Sequence, residues 1–394
     1  MATGLGTGSQ AADSLAAARL VTPLARSLAA RCDRDRRLAP ELVQALRKSG
    51  LFRMLVPASL GGGEATPWQM VTAVEELARG DAAAGWCVSV ASTSGVLAAY
   101  LGDQHAREVF GEPMSCAGGV FAPKGRATPV RPGALEVSGR WSFASGVAHC
   151  DWLLGGCTVA EADGVRTLES GAPDVRMVLV PAAQANVIDT WAVSGLRGTG
   201  SHDFAVDAVE VPEARSVSLI ADAPRHEGPL YAFPSFGLLA LAIAGVGMGV
   251  ARGAVQDLVG LADAKTPAMA THALAEQPDT RARVARAEAQ LRAARALVQE
   301  AIGEAWEQAL GEGGVDIEHR AGLRLAASHA MGAAAHVVDE MYALAGGSAV
   351  YDSSPLQRRF RDIHVATQHM LVNPSTWDFA GRVLLGAPVR SEQF

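Results

Sequence analysis

Charge and aromatic rings are both scarce in this sequence. Asp, Glu, Lys and Arg make up 19% of its 394 residues, and Phe, Trp and Tyr only 5%. The formal net charge is -7 and no basic stripe stands out, so the electrostatic footprint of a nucleic-acid binder is missing. Cysteine is sparse and unpatterned. Cys32, Cys87, Cys116, Cys150 and Cys157 are odd in number and include no C-x-x-C, which argues against a disulfide framework or a zinc knuckle. They read as small buried thiols. The longest apolar run, Phe236 to Val250, is broken by glycine and falls short of the ~20 residues of a bilayer span. The N-terminus has no charged-then-apolar leader pattern. There is no G-x-S-x-G and no H-E-x-x-H, so a serine-hydrolase elbow and a zinc-protease helix drop out. The expectation is a soluble cytoplasmic protein that engages neither membrane nor nucleic acid.

What is present is apolar and glycine-rich: 49% hydrophobic residues and 42 glycines, in a chain long enough for two or three domains. Its texture changes twice. Residues 1–112 read as helical once past a small, polar stretch (1–15) expected to be disordered. Pro40 to Leu51 places Leu42, Val43 and Leu46 on one face, with proline in the first turn and Gly50 at the end. Gly61-Gly62-Gly63 marks a turn, and helices follow over Pro67–Ala78 and Asp81–Leu101. Residues 113–222 alternate at period two, as in Leu135 to Phe143, Trp152–Val159, Arg176–Val180 and Phe204–Val211. Short strands separated by Gly, Pro and Asp predict a β domain, barrel or sandwich. Residues 223–394 return to helical spacing, with long helices expected at 232–264, 278–310, 317–345 and 355–385. Four such helices predict an antiparallel bundle.

Several motifs invite a chemical reading. Gly245-Val-Gly-Met-Gly-Val-Ala-Arg-Gly253 superficially resembles a dinucleotide fingerprint, but it lies in an Ala-rich helical run with no βαβ unit and reads as helix packing. Gly195-Leu-Arg-Gly-Thr-Gly-Ser-His-Asp203 lies between strands. It is a tight turn or a loop that lets backbone approach a ligand, with Thr199 and Ser201 offering hydroxyls and Trp191 a flat surface nearby. In Trp141-Ser-Phe-Ala-Ser-Gly146, Trp141, Phe143 and Ser145 share one face at period two. They are core packing or the lining of a flat ring. Pro355 to His369 reads as one helix. Asp362 and His369, seven residues apart, then share a face. His364 and His369 are roughly 140° apart around it, which excludes a zinc pair. Asp362 is expected to pair with Arg358 at i−4. His369, among apolar neighbours, would stay neutral near pH 7, as a base requires; alone it is a structural histidine as readily as a catalytic one.

These pieces in this order resemble the acyl-CoA dehydrogenase fold from about residue 20 onward. The carriers are Lys48-Ser-Gly-Leu-Phe-Arg-Met-Leu-Val-Pro57 before the glycine turn, W-x-F-x-S-G at Trp141–Gly146, G-L-R-G-T-G-S at Gly195–Ser201, and A-G-G and R-D in the last domain. The implied architecture is mainly α with a central β domain: an N-terminal helical domain, a middle β-barrel or sandwich, and a C-terminal four-helix bundle. Within that fold the chain resembles the two-component, reduced-flavin-dependent monooxygenases (the group D flavin hydroxylases). Where the dehydrogenases commonly carry a glutamate after R-D, this chain has Gln368-His369-Met370-Leu371. R-G-T-G-S-H, Arg197–His202, likewise follows the monooxygenase pattern.

The resemblance implies a separate NAD(P)H:flavin reductase that supplies reduced flavin, FMNH2 or FADH2. With O2 this would form a C4a-hydroperoxyflavin that hydroxylates an aromatic or polycyclic specialised metabolite. It implies Ser145 beside the flavin and His369 as base. Trp141, Phe143, Ser145, Gly146, Trp191, Arg197, Gly200 and Ser201 would line or cradle the flavin, and Gly346 and Gly347 would let backbone approach it. It also implies a homotetramer. The helix after Gly85-Trp86 carries only serines and a threonine where phenol hydroxylases of this kind have a histidine or tyrosine, so the pocket departs from theirs. The alternatives are an FAD-linked acyl-CoA dehydrogenase with a displaced base, an N- or S-oxygenase on the same fold, and a non-catalytic paralogue.

Overall fold

A computed structural model describes residues 14–161, 164–268 and 270–389. The expected disorder of the first residues lies, up to residue 13, outside these; Ser14 and Leu15 already belong to a helix. The N-terminal helices are α1 (Ser14–Asp35), α2 (Pro40–Lys48), α3 (Pro67–Gly80), α4 (Ala82–Ser94) and α5 (Asp103–Phe110). The sequence reading misses α1, whose pattern is interrupted by Pro23. Thr66 caps α3 through a reciprocal capping box with Gln69, and Asp81 caps α4 through the Ala84 amide. Those two caps set the corner that aims α4 inward. Almost every residue of α4 is buried.

The strands are β1 (Ala117–Arg131), β2 (Ala134–Trp141), β3 (Trp152–Glu161), β4 (Gly164–Val165), β5 (Val175–Pro181), β6 (Asn186–Ile188), β7 (Asp203–Pro212) and β8 (Ser216–Val217). They form one sheet in the order β6-β7-β2-β1-β3-β5-β8, with β4 paired to β3. All neighbours are antiparallel except β1 and β3, which run parallel from Ala117 opposite Trp152 to Ala127 opposite Val159. Trp141 lies flat across this sheet. A Cβ on Gly125, Gly139 or Gly155 would sit 2.2, 2.7 or 2.6 Å from its ring, so only glycines leave it room. Its Nε1 donates to the Gly156 carbonyl at 2.8 Å and its ring stacks on Phe204. Trp141 is therefore core, and its expected place beside a ligand is corrected.

Helices α6 (Pro229–Ala232), α7 (Ser235–Ala262), α8 (Pro278–Ala309), α9 (Ile317–Ala345), α10 (Pro355–Ala366) and α11 (Ser375–Leu384) complete the chain. The fourth expected long helix is thus two short ones. Helix α10 stops at Ala366, and the chain turns through His369 before Asn373-Pro374 starts α11. Ala82–Ala99 and Ser235–Ala262 are apolar and long enough to cross a membrane by length and composition, but 94% and 89% of those windows are buried inside the protein; they are core helices. The glycines of α7 serve packing, as expected. A Cβ on Gly249 would lie 2.2 Å from the Glu75 carbonyl of α3, and one on Gly247 would meet Met331 of α9.

Helix α10 fastens the layers together. Buried Arg359 donates to Asp257 of α7 at 2.5 Å and to the Arg79 carbonyl of α3. Asp257 also accepts from Arg26 of α1. Arg361 reaches Asp33 and the Ser194 carbonyl. The next residue, Asp362, is buried and accepts the Leu196 amide at 2.6 Å. Arg358, the partner expected for Asp362, acts on it through its charge, while the hydrogen bond is to Leu196. Asp257→Ala would leave the Arg359 guanidinium buried beside a missing carboxylate and should cost about 3–5 kcal/mol. Urea denaturation checks this; a loss below about 1 kcal/mol would show that the clamp is not structural.

Candidate active site

Helix α4, the loop after β2, the loop before β7, helices α7 and α9, and the turn after α10 enclose a cavity of about 1610 Å³. Ordinary ligand pockets span about 300–1,000 Å³, so there is room for a large cofactor ring and a second molecule. Its inner wall is built from loops 142–146 and 191–202, which are zipped together: the Ala144 amide donates to the His202 carbonyl and the Gly146 amide to the Thr199 carbonyl.

Leu196 is the hub of the second loop. Its backbone is left-handed, φ 50° and ψ 30°, a conformation that a branched residue adopts only where its surroundings enforce it. Asp362 holds its amide, while its carbonyl accepts Trp191 Nε1 at 3.0 Å and Thr199 Oγ1 at 2.8 Å. Gly195 is required beside it, since a Cβ there would fall 2.1 Å from the Arg361 carbonyl. His202 Nδ1 accepts the amides of Thr190 and Trp191 at 3.3 and 3.2 Å, fixing the indole's approach.

From this hub a line of hydroxyls runs into the cavity. Thr199 Oγ1 lies 2.6 Å from Ser201 Oγ, and Ser201 Oγ lies 2.8 Å from Ser145 Oγ. Ser145 Oγ also accepts Trp86 Nε1 of α4 at 3.0 Å. Trp86, Ser145, Thr199 and Ser201 are all buried and all border the cavity. Phe143 is the opposite case. It is 71% exposed, has φ 69°, and stands edge-on to Trp191 at 6.0 Å. The expected period-two alignment of Trp141, Phe143 and Ser145 is broken at this strained residue. An aromatic ring held out of the core at the rim of a cavity is a stacking surface in waiting.

His369 also borders the cavity, its ring edge-on to Trp86 at 5.7 Å. It is in the turn after α10, where its own amide bonds the Ala366 carbonyl, so it shares no helix face with Asp362. Part of its surface opens onto the cavity, yet the surrounding protein shields it from bulk water. Burial, reinforced by the Arg324 guanidinium, pulls its pKa down to about 4. It is neutral at pH 7. Its Nδ1 accepts the Leu371 amide at 3.3 Å, which puts the ring proton on Nε2. Burial conversely pushes Asp362 up to about 7, the Leu196 amide opposing.

Of the residues expected at a flavin, Phe143, Ser145, Trp191, Ser201 and His369 line the cavity. Gly146 supports it through its Thr199 bond and its left-handed φ of 74°. Trp141, Arg197, Gly200, Gly346 and Gly347 are not among the residues that line this cavity. Arg197 bonds the Asp33 and Val193 carbonyls, Gly200 backs onto the Arg36 carbonyl, and Gly346 lies near Lys265. Sequence reasoning passes over Trp86, Leu196 and Arg324. Trp86 was legible only as the neighbour of Gly85; Leu196 and Arg324 act through backbone geometry and burial, which no motif announces. Among the described residues, no cluster of three or more His, Cys, Asp or Glu could hold a metal ion.

Helical domain, sheet and bundle meeting at a cavity with hydroxyls, indoles and an exposed aromatic rim define a flavoprotein site on the acyl-CoA dehydrogenase fold, and the residues present fit a flavin ring. Comparison with known proteins carries this further. The family model for the acyl-CoA dehydrogenase N-terminal domain matches residues 10–115, and that for the acyl-CoA dehydrogenase C-terminal domain matches 241–374. Indole-3-acetate monooxygenase of Pseudomonas putida is 33% identical, over 90% of this chain and 89% of its own. The flavin-dependent monooxygenase oxygenase subunit HsaA of Rhodococcus jostii is 28% identical over 89% and 92%. The structure of XiaF from Streptomyces sp., in complex with FADH2 and glycerol, superposes with a TM-score of 0.87 at 25% identity, covering 96% of each chain. This chain belongs to the acyl-CoA dehydrogenase-fold family of flavin-dependent monooxygenases and is the oxygenase component of such a two-component system, served by a separate reductase.

The depressed pKa of His369 has a thermodynamic signature. His369 titrates near 4 in the folded chain and near 6.5 when unfolded. Between those values the unfolded chain binds the extra proton, so this contribution to stability is lost as pH falls from about 6.5 through about 4. His149, also held at about 4 by burial, adds to the same limb. Asp362 acts in the opposite sense. Its contribution is full below about 4 and lost as pH rises through about 7. His369→Gln should flatten the acid limb of a stability–pH curve measured by urea unfolding; an unchanged slope between pH 6.5 and 4 would show that the ring is not buried neutral.

Proposed function

We propose that this oxygenase component hydroxylates an aromatic ring carbon, in a substituted or fused-ring metabolite, using reduced FMN or FAD delivered by a separate NAD(P)H:flavin reductase. The observation that carries this reading is that Ser145 and neutral His369, both in contact with Trp86, line one large, mostly apolar cavity. The named activity of the 33% identical relative, on indole-3-acetate, favours an aromatic substrate. Bound reduced flavin supplies the two electrons with which O2 delivers one oxygen atom to substrate and the other to water. The chain's own residues do the rest. Phe143 and Trp191 offer aromatic surfaces to the cofactor ring, and the apolar walls from α4 and α7 exclude water.

Ser145 holds the ring edge, while His369 manages a proton. With Nδ1 occupied by Leu371, the neutral imidazole presents an Nε2–H donor to the cavity. We therefore assign His369 as the hydrogen-bond donor to the departing oxygen, in place of the base expected from sequence. The displaced-base dehydrogenase is disfavoured because the carboxylate lining this cavity, Asp378, is largely exposed and paired with Arg382.

We also propose that the chain works as a homotetramer in the cytoplasm. Val350, Tyr351, Leu384 and Leu385 are exposed apolar side chains in the last domain, and such residues favour burial against another copy. The five cysteines are free and buried, in keeping with a reducing compartment.

The test is reconstitution with a flavin reductase, NADH and a panel of indoles and phenols under ¹⁸O2. One labelled oxygen should enter the ring of at least one substrate; acyl-CoA oxidation without label incorporation would refute the reading. His369→Ala should divert turnover to hydrogen peroxide and cut hydroxylation by roughly a hundredfold, whereas His369→Gln, which keeps an N–H, should retain part of it. Equal losses in both would mean that basicity, not donation, is what His369 supplies.

A further inference from the structure

The line of hydroxyls behind Ser145 has a fixed direction. The Leu196 carbonyl can only accept, so the single Thr199 hydroxyl proton points to it at 2.8 Å. The 2.6 Å contact between Thr199 and Ser201 must then be filled by the Ser201 proton. The 2.8 Å contact between Ser201 and Ser145 must in turn be filled by the Ser145 proton. At the far end Trp86 Nε1, a donor only, takes one Ser145 lone pair. Ser145 has spent its proton inward, and what it can offer the cavity is a lone pair. Any other arrangement would leave two oxygens 2.6–2.8 Å apart with no proton between them, or strand a buried hydroxyl.

We propose that Thr199 and Ser201 are positioning residues that hold Ser145 as a pure acceptor, and that this polarity makes the site select reduced over oxidised flavin. The proposal rests on the reading of Ser145 as the partner of the flavin ring edge. Reduced flavin carries N5–H, a donor that matches an acceptor. Oxidised flavin carries a bare N5 lone pair, which would face another lone pair. Discrimination of this kind is steep because a mismatched buried polar pair loses the bond and keeps the desolvation cost. It suits a component that receives reduced cofactor from outside and must release it once oxidised. The polarity is anchored by the backbone at Leu196, and hence by Asp362 on a different domain.

The experiment measures, for the full-length protein, dissociation constants of FMN and FAD in both oxidation states, with the reduced forms titrated anaerobically. The wild type should bind at least one reduced flavin more tightly than its oxidised form. Thr199→Val and Ser201→Ala free the chain to reverse, so Ser145 can donate to N5 of the oxidised ring. Each should narrow the oxidised-to-reduced ratio by about tenfold, mainly by tightening the oxidised form. Ser145→Ala should abolish the dependence of that ratio on position 199. Two single variants at different points of the line guard against one that fails to fold, with circular dichroism as the check. If both variants weaken the two oxidation states equally, or keep the wild-type ratio, the relay is merely structural and the proposal falls while the flavin site stands. If the wild type binds no reduced flavin at all, the functional reading itself fails.

Discussion

The site depends on one hydrogen bond, from the Leu196 amide to the buried Asp362 carboxylate. It joins the loop before β7 to helix α10 across a domain boundary, and it fixes a residue in a backbone conformation that is unfavourable by itself. Everything at the cavity wall is referred to that point. The Leu196 carbonyl orients the Trp191 indole and the Thr199 hydroxyl, and Thr199 begins the line that ends at Ser145. The arginines just before Asp362 have a structural part. Arg359 and Arg361 pin α10 to α1, α3 and α7, so that the carboxylate arrives at a fixed place. A clamp made of buried ion pairs adds little net stability, but it holds geometry strictly, because removing either partner is so costly.

The two faces of the cavity differ in chemistry as well as in origin. The sheet side offers an acceptor, Ser145, whose proton is committed inward. The bundle side offers a neutral donor, His369, whose Nδ1 is committed to the Leu371 amide. Neither residue carries charge at neutral pH. The reacting space thus meets one fixed acceptor and one fixed donor, a preorganised polar environment of the kind that oxygen transfer uses.

Much of this was legible in the sequence because order and spacing survive where single motifs are ambiguous. Helical, alternating and again helical texture gave the layers, and R-G-T-G-S-H with His369-Met370 in place of a glutamate gave the chemistry its direction. The misreadings have local causes. Period-two reasoning put Trp141, Phe143 and Ser145 on one face, but Phe143 has positive φ, and three glycines make room for Trp141 in the core. Helical spacing carried α10 through His369, but the chain leaves the helix at Ala366, before its sequence breaker at Asn373-Pro374. The i−4 rule pairs Asp362 with Arg358 because it sees only one helix; the hydrogen-bond partner of Asp362 is 166 residues away. Trp86 and Arg324 carry no role that their local sequence announces, because what marks them is long-range proximity.

The central claim is that the cavity between Ser145 and His369 receives reduced flavin. An anaerobic co-crystal structure with reduced FMN or FAD tests it most directly. The account predicts the ring against Phe143 and Trp191, with N5 within hydrogen-bond distance of Ser145 Oγ and His369 Nε2 facing the same space. A flavin bound elsewhere, or with its N5 edge turned away from Ser145, would contradict it.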